Sequence, residues 1–185
     1  MAQPGRLIAV VGPSGVGKDS LIDALVAAQP TLVRVRRVIT RPRDLGGEDY
    51  CAVSSAEFAS MAAAGAFCLC WGAHDLRYGI PTSAVVAARN GTSVIANLSR
   101  GALAVAKAVF PAVLALNVTA APETLARRLA ARGRETPEAI ARRLARSGAP
   151  VPGNVPGVTI NNDGPLQETV RAALAALSLA DAEQG

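Results

Sequence analysis

Apolar residues follow two alternating patterns along the chain. Leu7–Val11 is a short, continuous apolar run rich in β-branched residues that ends at a glycine, as is typical of a strand buried on both faces. From Lys18 onward, apolar residues recur at helical spacing instead. The same alternation predicts three later strands and four later helices: strands Val94–Leu98, Val113–Val118 and Val158–Ile160, and helices Ala102–Val109, Pro122–Ala131, Pro137–Arg146 and Leu166–Leu179. Strands that alternate with helices predict an α/β fold of three layers around a mainly parallel central sheet.

Local signals mark where individual helices begin. The segment Ser54–Glu57 has the sequence Ser-Ser-Ala-Glu, which is a capping box opening a further helix. Thr136 is an N-cap residue followed by proline at the first helical position. The Gly- and Pro-rich stretch Gly148–Gly157 indicates a loop within a domain. With 185 residues and no internal repeat, the sequence predicts a single domain over residues 1–185.

A glycine-rich turn separates the first strand from the first helix. Residues Gly12 to Lys18 match G-x-x-x-x-G-K, and a flanking strand and helix are the context that this phosphate-binding loop (P-loop) requires. Its backbone N–H groups surround a polyphosphate, while Lys18 reaches the β and γ oxygens. A chance glycine-rich turn is the alternative, and the flanking elements disfavour it. The predicted nucleotide-binding residues are Gly12, Pro13, Ser14, Gly15, Val16, Gly17, Lys18, Asp19 and Ser20.

Asp19 departs from the usual P-loop pattern. A Ser or Thr normally follows the lysine and binds Mg²⁺ through its hydroxyl, whereas here Asp19 follows and Ser20 comes next. A carboxylate is a harder oxygen ligand and can bind the metal directly or through water. The alternative is that Asp19 only stabilises the first turn of the helix. We favour the metal role, with Asp19 and Ser20 as the candidate Mg²⁺ ligands.

Several arginines fall on two helical segments in the second half of the chain. Arg128, Arg132 and Arg143 are spaced across the predicted helices and a glycine turn. Guanidinium groups that close over a transferring phosphoryl group stabilise the charge on its oxygens. A solvated basic helix face is the alternative explanation. Beside a P-loop, the catalytic interpretation is the stronger one.

Composition narrows the partners and the compartment. The net charge of +5 suits anionic ligands, and with six aromatic residues a phosphorylated small molecule fits better than nucleic acid. Three cysteines without C-x-x-C spacing and one histidine disfavour a structural zinc site. We expect Cys68 and Cys70 to share a strand face and pack as apolar groups. Because no signal peptide or membrane span is indicated, we expect a cytoplasmic protein without a membrane partner.

Several motifs together resemble the guanylate kinase family. Three features of the sequence resemble that family: the P-loop sequence, the pattern R-L-x-x-R-G-x-E with a following I-x-x-R-L, and the segment from Phe67 to Gly79. The resemblance implies a P-loop kinase that uses ATP and Mg²⁺, with an acceptor-binding region at about 34–82 and a lid at about 122–147. It also implies catalytic roles for Arg128, Arg132 and Arg143, and places Asn161 near the adenine.

The residues that bind guanine in this family are nevertheless replaced in the sequence. Leu69 stands where guanylate kinases have an acidic residue, and Ile80 replaces a hydroxyl-bearing guanine contact. A bound guanine whose N–H groups found no partner there would lose roughly 1–3 kcal/mol of binding free energy per group. These departures, with Asp19, the Asn-x-Ser-Arg motif at 97–100 and the Asn-Asn-Asp-Gly motif at 161–164, resemble the ribose 1,5-bisphosphate phosphokinases. That group makes 5-phosphoribosyl 1-diphosphate (PRPP) during phosphonate degradation.

Such an acceptor has two anionic ends and no base to stack. The expected substrate-binding residues are Arg41, Arg43, Glu48, Tyr50, Tyr78, Asn97, Ser99 and Arg100, and further available cations are Arg36, Arg37 and Arg77. A phosphate monoester has its second pKa near 6 and needs no strong general base. We therefore expect His74 to be a turn or wall residue.

Other functions remain as alternatives. A nucleoside monophosphate kinase with altered base choice is the nearest, because Leu69 and Ile80 count only against guanine. A non-catalytic guanylate-kinase-like binding module is another, although such modules typically degrade the P-loop that is intact here. A regulatory GTPase lacks support because no Asn-Lys-x-Asp motif is present. The sequence is compatible with a monomer or a homodimer.

Overall fold

The computed structural model of the chain describes residues 3–43, 48–133, 135–145 and 150–182. Three features predicted from sequence fall partly beyond these ranges: the last residue of the helix Pro137–Arg146, the beginning of the loop Gly148–Gly157, and Arg134 within the R-L-x-x-R-G-x-E pattern. These positions lie outside the described residues.

The described residues form nine strands and seven α-helices. In chain order the strands are β1 (Leu7–Val11), β2 (Val33–Arg34), β3 (Val38–Ile39), β4 (Cys51–Ala52), β5 (Phe67–Ala73), β6 (Leu76–Pro81), β7 (Val94–Asn97), β8 (Val113–Thr119) and β9 (Gly157–Asn161). The helices are α1 (Lys18–Ala28), α2 (Ser55–Ala63), α3 (Thr82–Arg89), α4 (Leu103–Val109), α5 (Pro122–Ala131), α6 (Pro137–Ala145) and α7 (Leu166–Ala182).

Five strands form a parallel sheet in the order β2-β7-β1-β8-β9, with β1 at its centre. The side chains of β1 alternate between its two faces, so that Leu7, Ala9 and Val11 join the apolar cluster under α3 and α4. Ile8 and Val10 join the opposite cluster with α1 and α7. The sheet is therefore the middle of three layers, which confirms the predicted α/β fold with a mainly parallel sheet.

The carboxyl ends of these parallel strands meet at one edge of the sheet. The P-loop follows β1, Asn97 is the last residue of β7, and Asn117 lies near the end of β8. Ligands of open α/β sheets bind in the crevice beyond this edge.

A second sheet of four strands, in the order β4-β3-β6-β5, faces the same crevice. Its main unit is the antiparallel hairpin of β5 and β6, in which Leu69 lies opposite Ile80. Both residues are buried and belong to the core. They therefore contribute packing and offer no polar group to a ligand.

The expectation for the two hairpin cysteines is wrong for Cys70. The pairing of β5 with β6 shifts register between Phe67 and Leu69, so that Leu69 takes the buried position and Cys70 is exposed. Cys68 is half-buried, and burial raises the pKa of its thiol.

Most predicted boundaries agree with the structure to within a residue or two, and the capping box of Ser54 and Glu57 is confirmed at the start of α2. The prediction of a helix over Ala102–Val109 needs a correction. Residues Arg100–Ala102 form a 3-10 turn, in which Ala102 N donates to Ser99 O, and α4 begins at Leu103. In the part of the chain that the structure describes, no helix combines the length and apolar character that crossing a bilayer requires.

Candidate active site

Two glycines of the P-loop have a left-handed backbone. Gly15 and Gly17 have φ angles of 83° and 95°, in the left-handed region that favours glycine. A Cβ atom on Gly17 would lie 2.8 Å from Nδ2 of Asn162, and one on Gly15 would lie 3.0 Å from Cγ of Leu129. The loop is thus held in its shape by close neighbours as well as by its own conformation.

One backbone carbonyl of the P-loop is held by two side chains. Asn162 donates from Nδ2 to the Val16 carbonyl at 2.7 Å, and its Oδ1 accepts from the Thr169 hydroxyl at 2.7 Å. Arg128 of α5 donates to the same Val16 carbonyl at 3.3 Å and to the Asn162 carbonyl at 2.7 Å. These four residues join the P-loop to α5 and to the segment between β9 and α7.

Lys18 folds back over the P-loop. Its ammonium group donates to the Gly12 carbonyl at 2.9 Å and to the Pro13 carbonyl at 3.1 Å. Burial lowers the pKa of Lys18 to about 8, the neighbouring Asp19 carboxylate opposes that change, and the charge of Arg37 adds to it. The site therefore concentrates positive charge that a polyphosphate would neutralise.

Asp19 lies in the first turn of α1 and is held from the neighbouring strand. Asn97 donates from Nδ2 to Oδ1 of Asp19 at 3.2 Å. Asp19 and Ser20 line the same cavity as Lys18. Mg²⁺ is usually bound through one or two carboxylates plus substrate phosphates and water. No group of three or more His, Cys, Asp or Glu residues suited to a metal occurs among the described residues.

An ion pair and two aromatic rings form one wall of the cavity. Arg37 donates from Nε to Oε1 of Glu48 at 2.7 Å and from Nη2 to Oε2, and the two side chains are only 9% and 7% exposed. The Arg37 guanidinium lies 4.9 Å from the ring centroid of Tyr78, which stacks on Trp71 at 5.4 Å. Burying such a pair costs desolvation energy, so it fixes geometry more than it adds stability.

Two further arginines approach the cavity from different elements. Arg41 lies 4.4 Å from the ring centroid of Tyr50, whose hydroxyl donates to the Pro42 carbonyl. Arg100 donates to Oδ1 of Asn117 at 3.1 Å, and partial burial lowers its pKa.

The helices α5 and α6 bring arginines over the P-loop. Arg132 caps the end of α5, and Arg142 and Arg143 lie in the last turn of α6. Arg143 donates from Nη1 to Oε1 of Glu135 at 2.6 Å, and both side chains are partly exposed. The carboxylate holds this cation in place while leaving it accessible to a phosphate.

These groups surround a cavity of about 700 Å³. The predicted site residues that line it are Gly12, Pro13, Ser14, Gly15, Gly17, Lys18, Asp19, Ser20, Arg41, Glu48, Tyr78, Asn97, Ser99, Arg100, Arg132 and Arg143. The mixture of backbone N–H groups, a lysine and several arginines suits a ligand with more than one phosphate group.

Five predicted site residues are not among the residues that line the cavity: Val16, Arg43, Tyr50, Arg128 and Asn161. Val16 is buried, and Tyr50 is buried against Arg41. Arg43 is exposed. The guanidinium of Arg128 is engaged by the two carbonyls described above. Asn161 is exposed and donates to Asp163 at 2.7 Å, and this contact lowers the pKa of Asp163.

Four lining residues carry weaker signals in the sequence. Arg37 is one of several available arginines, Trp71 has no motif of its own, and Arg142 adjoins a motif arginine. His74 lies in the turn between β5 and β6 and lines the cavity, which confirms its prediction as a turn or wall residue. The supporting role of Asn162 has no signal beyond its place in the Asn-Asn-Asp-Gly motif.

We predict that Asn162→Ala destabilises the protein by about 1–3 kcal/mol, because the Val16 carbonyl and the Thr169 hydroxyl lose a buried partner. The matched control is Asn161→Ala, whose side chain is exposed and should change the free energy of unfolding by less than about 1 kcal/mol. Urea denaturation of both variants measures the difference. Equal losses would show that Asn162 is not a special support of the P-loop.

Lys18→Met should stabilise the ligand-free protein at pH 7. The folded-state pKa near 8 lies below the ordinary value of 10.5. The charged lysine is therefore destabilising below pH 8, and stability rises with pH between 8 and 10.5 as the folded state releases the proton first. Since Lys18 keeps some exposed surface, we expect a gain on the order of 1–3 kcal/mol that disappears near pH 10.5. Urea unfolding of both proteins from pH 7 to 10.5 tests this, and a pH-independent difference would contradict it.

Comparison with known proteins shows the family to which this chain belongs. The sequence profile of guanylate kinase matches residues 4–164. The ribose 1,5-bisphosphate phosphokinase PhnN of Ruegeria sp. (strain TM1040) is 54% identical over 131 residues, which cover 71% of this chain and 69% of that protein. The protein of the same name from Rhizobium etli (strain CIAT 652) is 44% identical over 179 residues, which cover 95% of this chain and 91% of the relative.

Among solved structures, the guanylate kinase from Anaplasma phagocytophilum superposes with a TM-score of 0.72 at 17% identity, over 97% of this chain and 88% of that one. At this low identity the structural similarity shows the fold alone. The family is shown by the profile match and by the relatives above. The chain therefore belongs to the guanylate kinase family of phosphotransferases, in the group that includes the ribose 1,5-bisphosphate phosphokinases.

Proposed function

We propose that the protein transfers the γ-phosphoryl group of ATP to the 1-phosphate of ribose 1,5-bisphosphate and so forms PRPP. The observation that carries this proposal is an intact P-loop together with the cavity wall of Arg37, Glu48, Trp71 and Tyr78, which we call the acceptor wall. Leu69 and Ile80 of the same sheet are buried and offer no polar group. Relatives named for this reaction match most of the chain. We also propose that the reaction serves phosphonate degradation.

The reaction needs positioning more than proton transfer. An oxygen of the 1-phosphate forms a bond to the γ-phosphorus, and the bond from that phosphorus to the β–γ bridging oxygen breaks to release ADP. A phosphate monoester is largely dianionic at pH 7, so no base has to activate it. Catalysis then rests on bringing the groups into line and on neutralising their charge.

The residues divide between these tasks. Lys18 and the P-loop N–H groups hold the β- and γ-phosphates, while Arg132 and Arg143 approach the transferred group from the helices α5 and α6. We assign Arg128 a positioning role, because its guanidinium donates hydrogen bonds to the Val16 and Asn162 carbonyls. A contact between Asn161 and the adenine stays a prediction.

Mg²⁺ fits the donor set near Lys18. Asp19 offers a carboxylate oxygen, Ser20 offers a hydroxyl, and Asn97 holds the carboxylate at the cavity surface. A bound Mg²⁺ would neutralise charge on the β- and γ-phosphates. We propose Asp19 and Ser20 as the residues that hold it, directly or through water.

The acceptor would be held by residues of the second sheet and of the segment that follows β7. Arg41 and Arg100 supply charge for its phosphates, and Glu48 can accept from the sugar hydroxyls. Tyr78, Asn97 and Ser99 add polar contacts along the same surface. Roles for Arg43 and Tyr50 in acceptor binding stay predictions.

A nucleoside monophosphate kinase is the second candidate. The stacked pair of Trp71 and Tyr78 is the observation that favours it, because aromatic faces also bind bases. The buried pair of Leu69 and Ile80 counts against guanine in particular.

We also propose that the protein is cytoplasmic, because its three cysteines are free thiols.

We predict turnover with ribose 1,5-bisphosphate and much slower turnover with GMP, AMP or ribose 5-phosphate, because the arginines that line the cavity suit an acceptor with two phosphate groups and the buried Leu69 and Ile80 offer guanine no polar group. An ATP-to-ADP coupled assay, with PRPP identified by mass spectrometry, measures this. Lys18→Ala should lower the rate by at least about a hundredfold without loss of fold.

Preference for a nucleotide acceptor would overturn the proposed substrate. Undiminished activity of Lys18→Ala would overturn the assignment of the P-loop. ATP binding without turnover of any acceptor would instead favour a binding module.

Asp19→Asn should weaken the response to Mg²⁺. The amide keeps the shape and a hydrogen-bond acceptor but loses the charge, so we expect at least about a tenfold higher Mg²⁺ concentration for half-maximal rate. A direct readout is the affinity for Mn²⁺ in the presence of ATP, measured by electron paramagnetic resonance. If Asp19 only stabilises the first turn of α1, both measurements will stay at the wild-type value while thermal stability falls slightly.

A further inference from the structure

The turn between β5 and β6 has a left-handed backbone at two non-glycine residues. Ala73 pairs with Leu76, which leaves a loop of two residues, and these have φ angles of 52° (His74) and 61° (Asp75). Among the described residues they are the two non-glycine residues with positive φ. Two-residue hairpin loops of this kind strongly favour Asn-Gly, since side chains at both positions are strained. The chain therefore keeps two side chains where glycine would fit the backbone better.

The two turn residues differ in what they face. His74 is one of the residues that line the active-site cavity, whereas Asp75 is not among them. Strained backbone persists where the surroundings require it and clusters at functional sites. A requirement for the imidazole in the cavity would account for a side chain at this position.

Arg41 reaches the same end of the second sheet. β3 pairs with β6 through Val38 and Ile39, and beyond its end Thr40 continues the pattern: its N donates to the Arg77 carbonyl at 3.1 Å, and its hydroxyl accepts from the Arg77 N at 2.9 Å. The next residue, Arg41, therefore follows β6 toward the turn at His74.

The Arg41 guanidinium is placed for an anion. It lines the cavity, and its Nε is buried and has no hydrogen-bond partner among the residues that the structure describes. The ring of Tyr50 lies beneath it and supplies no acceptor to that nitrogen. A guanidinium and an imidazole at one end of a cavity form a pair of N–H donors suited to a phosphate.

We propose that His74 binds the acceptor, donating an imidazole N–H to a phosphate oxygen that Arg41 also contacts. This inference rests on the proposed function, because it needs an acceptor that carries phosphate. An imidazole has an N–H donor in either protonation state, so the contact involves no proton transfer. His74 is then a residue that determines acceptor specificity, and nothing in the reaction requires it as a base.

The test replaces each turn residue by glycine. Both His74→Gly and Asp75→Gly relieve the left-handed strain, so neither should lower the melting temperature. Only His74→Gly should raise KM for ribose 1,5-bisphosphate, by about tenfold, while KM for ATP stays within about twofold. His74→Asn, which keeps an N–H donor and tolerates the backbone, should lie between the two.

A second acceptor locates the contact. The KM ratio of His74→Gly to wild type is measured again with ribose 1-phosphate. A ratio near one assigns the contact to the 5-phosphate and supports the proposal. An equal ratio assigns it to the part that both acceptors share, and the proposal then requires that removing the 1-phosphate, with ribose 5-phosphate as a competitive inhibitor, abolishes the difference between His74→Gly and wild type; a difference that persists would overturn it.

The outcomes separate this inference from the function on which it rests. If the wild-type protein turns over the bisphosphate and His74→Gly leaves its KM unchanged, or if Asp75→Gly raises KM equally, this inference alone is overturned. If the wild-type protein does not use the bisphosphate, the proposed function fails, and the assignment of His74 fails with it.

Discussion

The site depends on the hydrogen bonds that fix the Val16 carbonyl. A P-loop works because several backbone N–H groups converge on one point, and that convergence requires a fixed backbone. Here Asn162 and Arg128 hold the loop from outside, and Thr169 in turn orients Asn162. The phosphate-binding groups are therefore arranged before any ligand arrives, and less ordering has to accompany binding.

Positive charge is concentrated around this loop, and acidic partners compensate part of it. Glu48 neutralises Arg37, and Glu135 neutralises Arg143. The two pairs differ in their exposure. The first is almost completely buried and serves as a fixed wall, while the second keeps contact with solvent and can exchange its carboxylate for a ligand oxygen. Burial thus separates arginines that shape the cavity from arginines that can respond to its contents.

The sequence predicts the P-loop and four of the five strands of the central sheet, because these depend on local signals, whereas the two-residue strand β2 was not predicted. β1 is a continuous apolar run with a glycine-rich end, and α5 begins at a proline. The second sheet could not be predicted, since β3 and β4 have two residues each and are defined by pairing partners distant in the chain. The bulge that buries Leu69 and exposes Cys70 is equally invisible to a simple alternation.

The same distinction applies to the site. Motif positions such as Lys18 and Arg132 line the cavity as expected, because the motif itself encodes their function. Asn162 and Arg128 act through contacts with a carbonyl more than a hundred residues away, which no local pattern reveals. Arg37 and Trp71 likewise join the site only through the pairing of β3, β5 and β6.

Trp71 gives this chain a property that its relatives need not share. It is the only tryptophan in the sequence, and it stacks on Tyr78 beneath the guanidinium of Arg37. Indole emission responds to nearby charge and polarity, so the tryptophan fluorescence of the protein comes from one side of the cavity alone. The molecule thus contains its own optical sensor on the acceptor wall, with no label and no competing background from the nucleotide side.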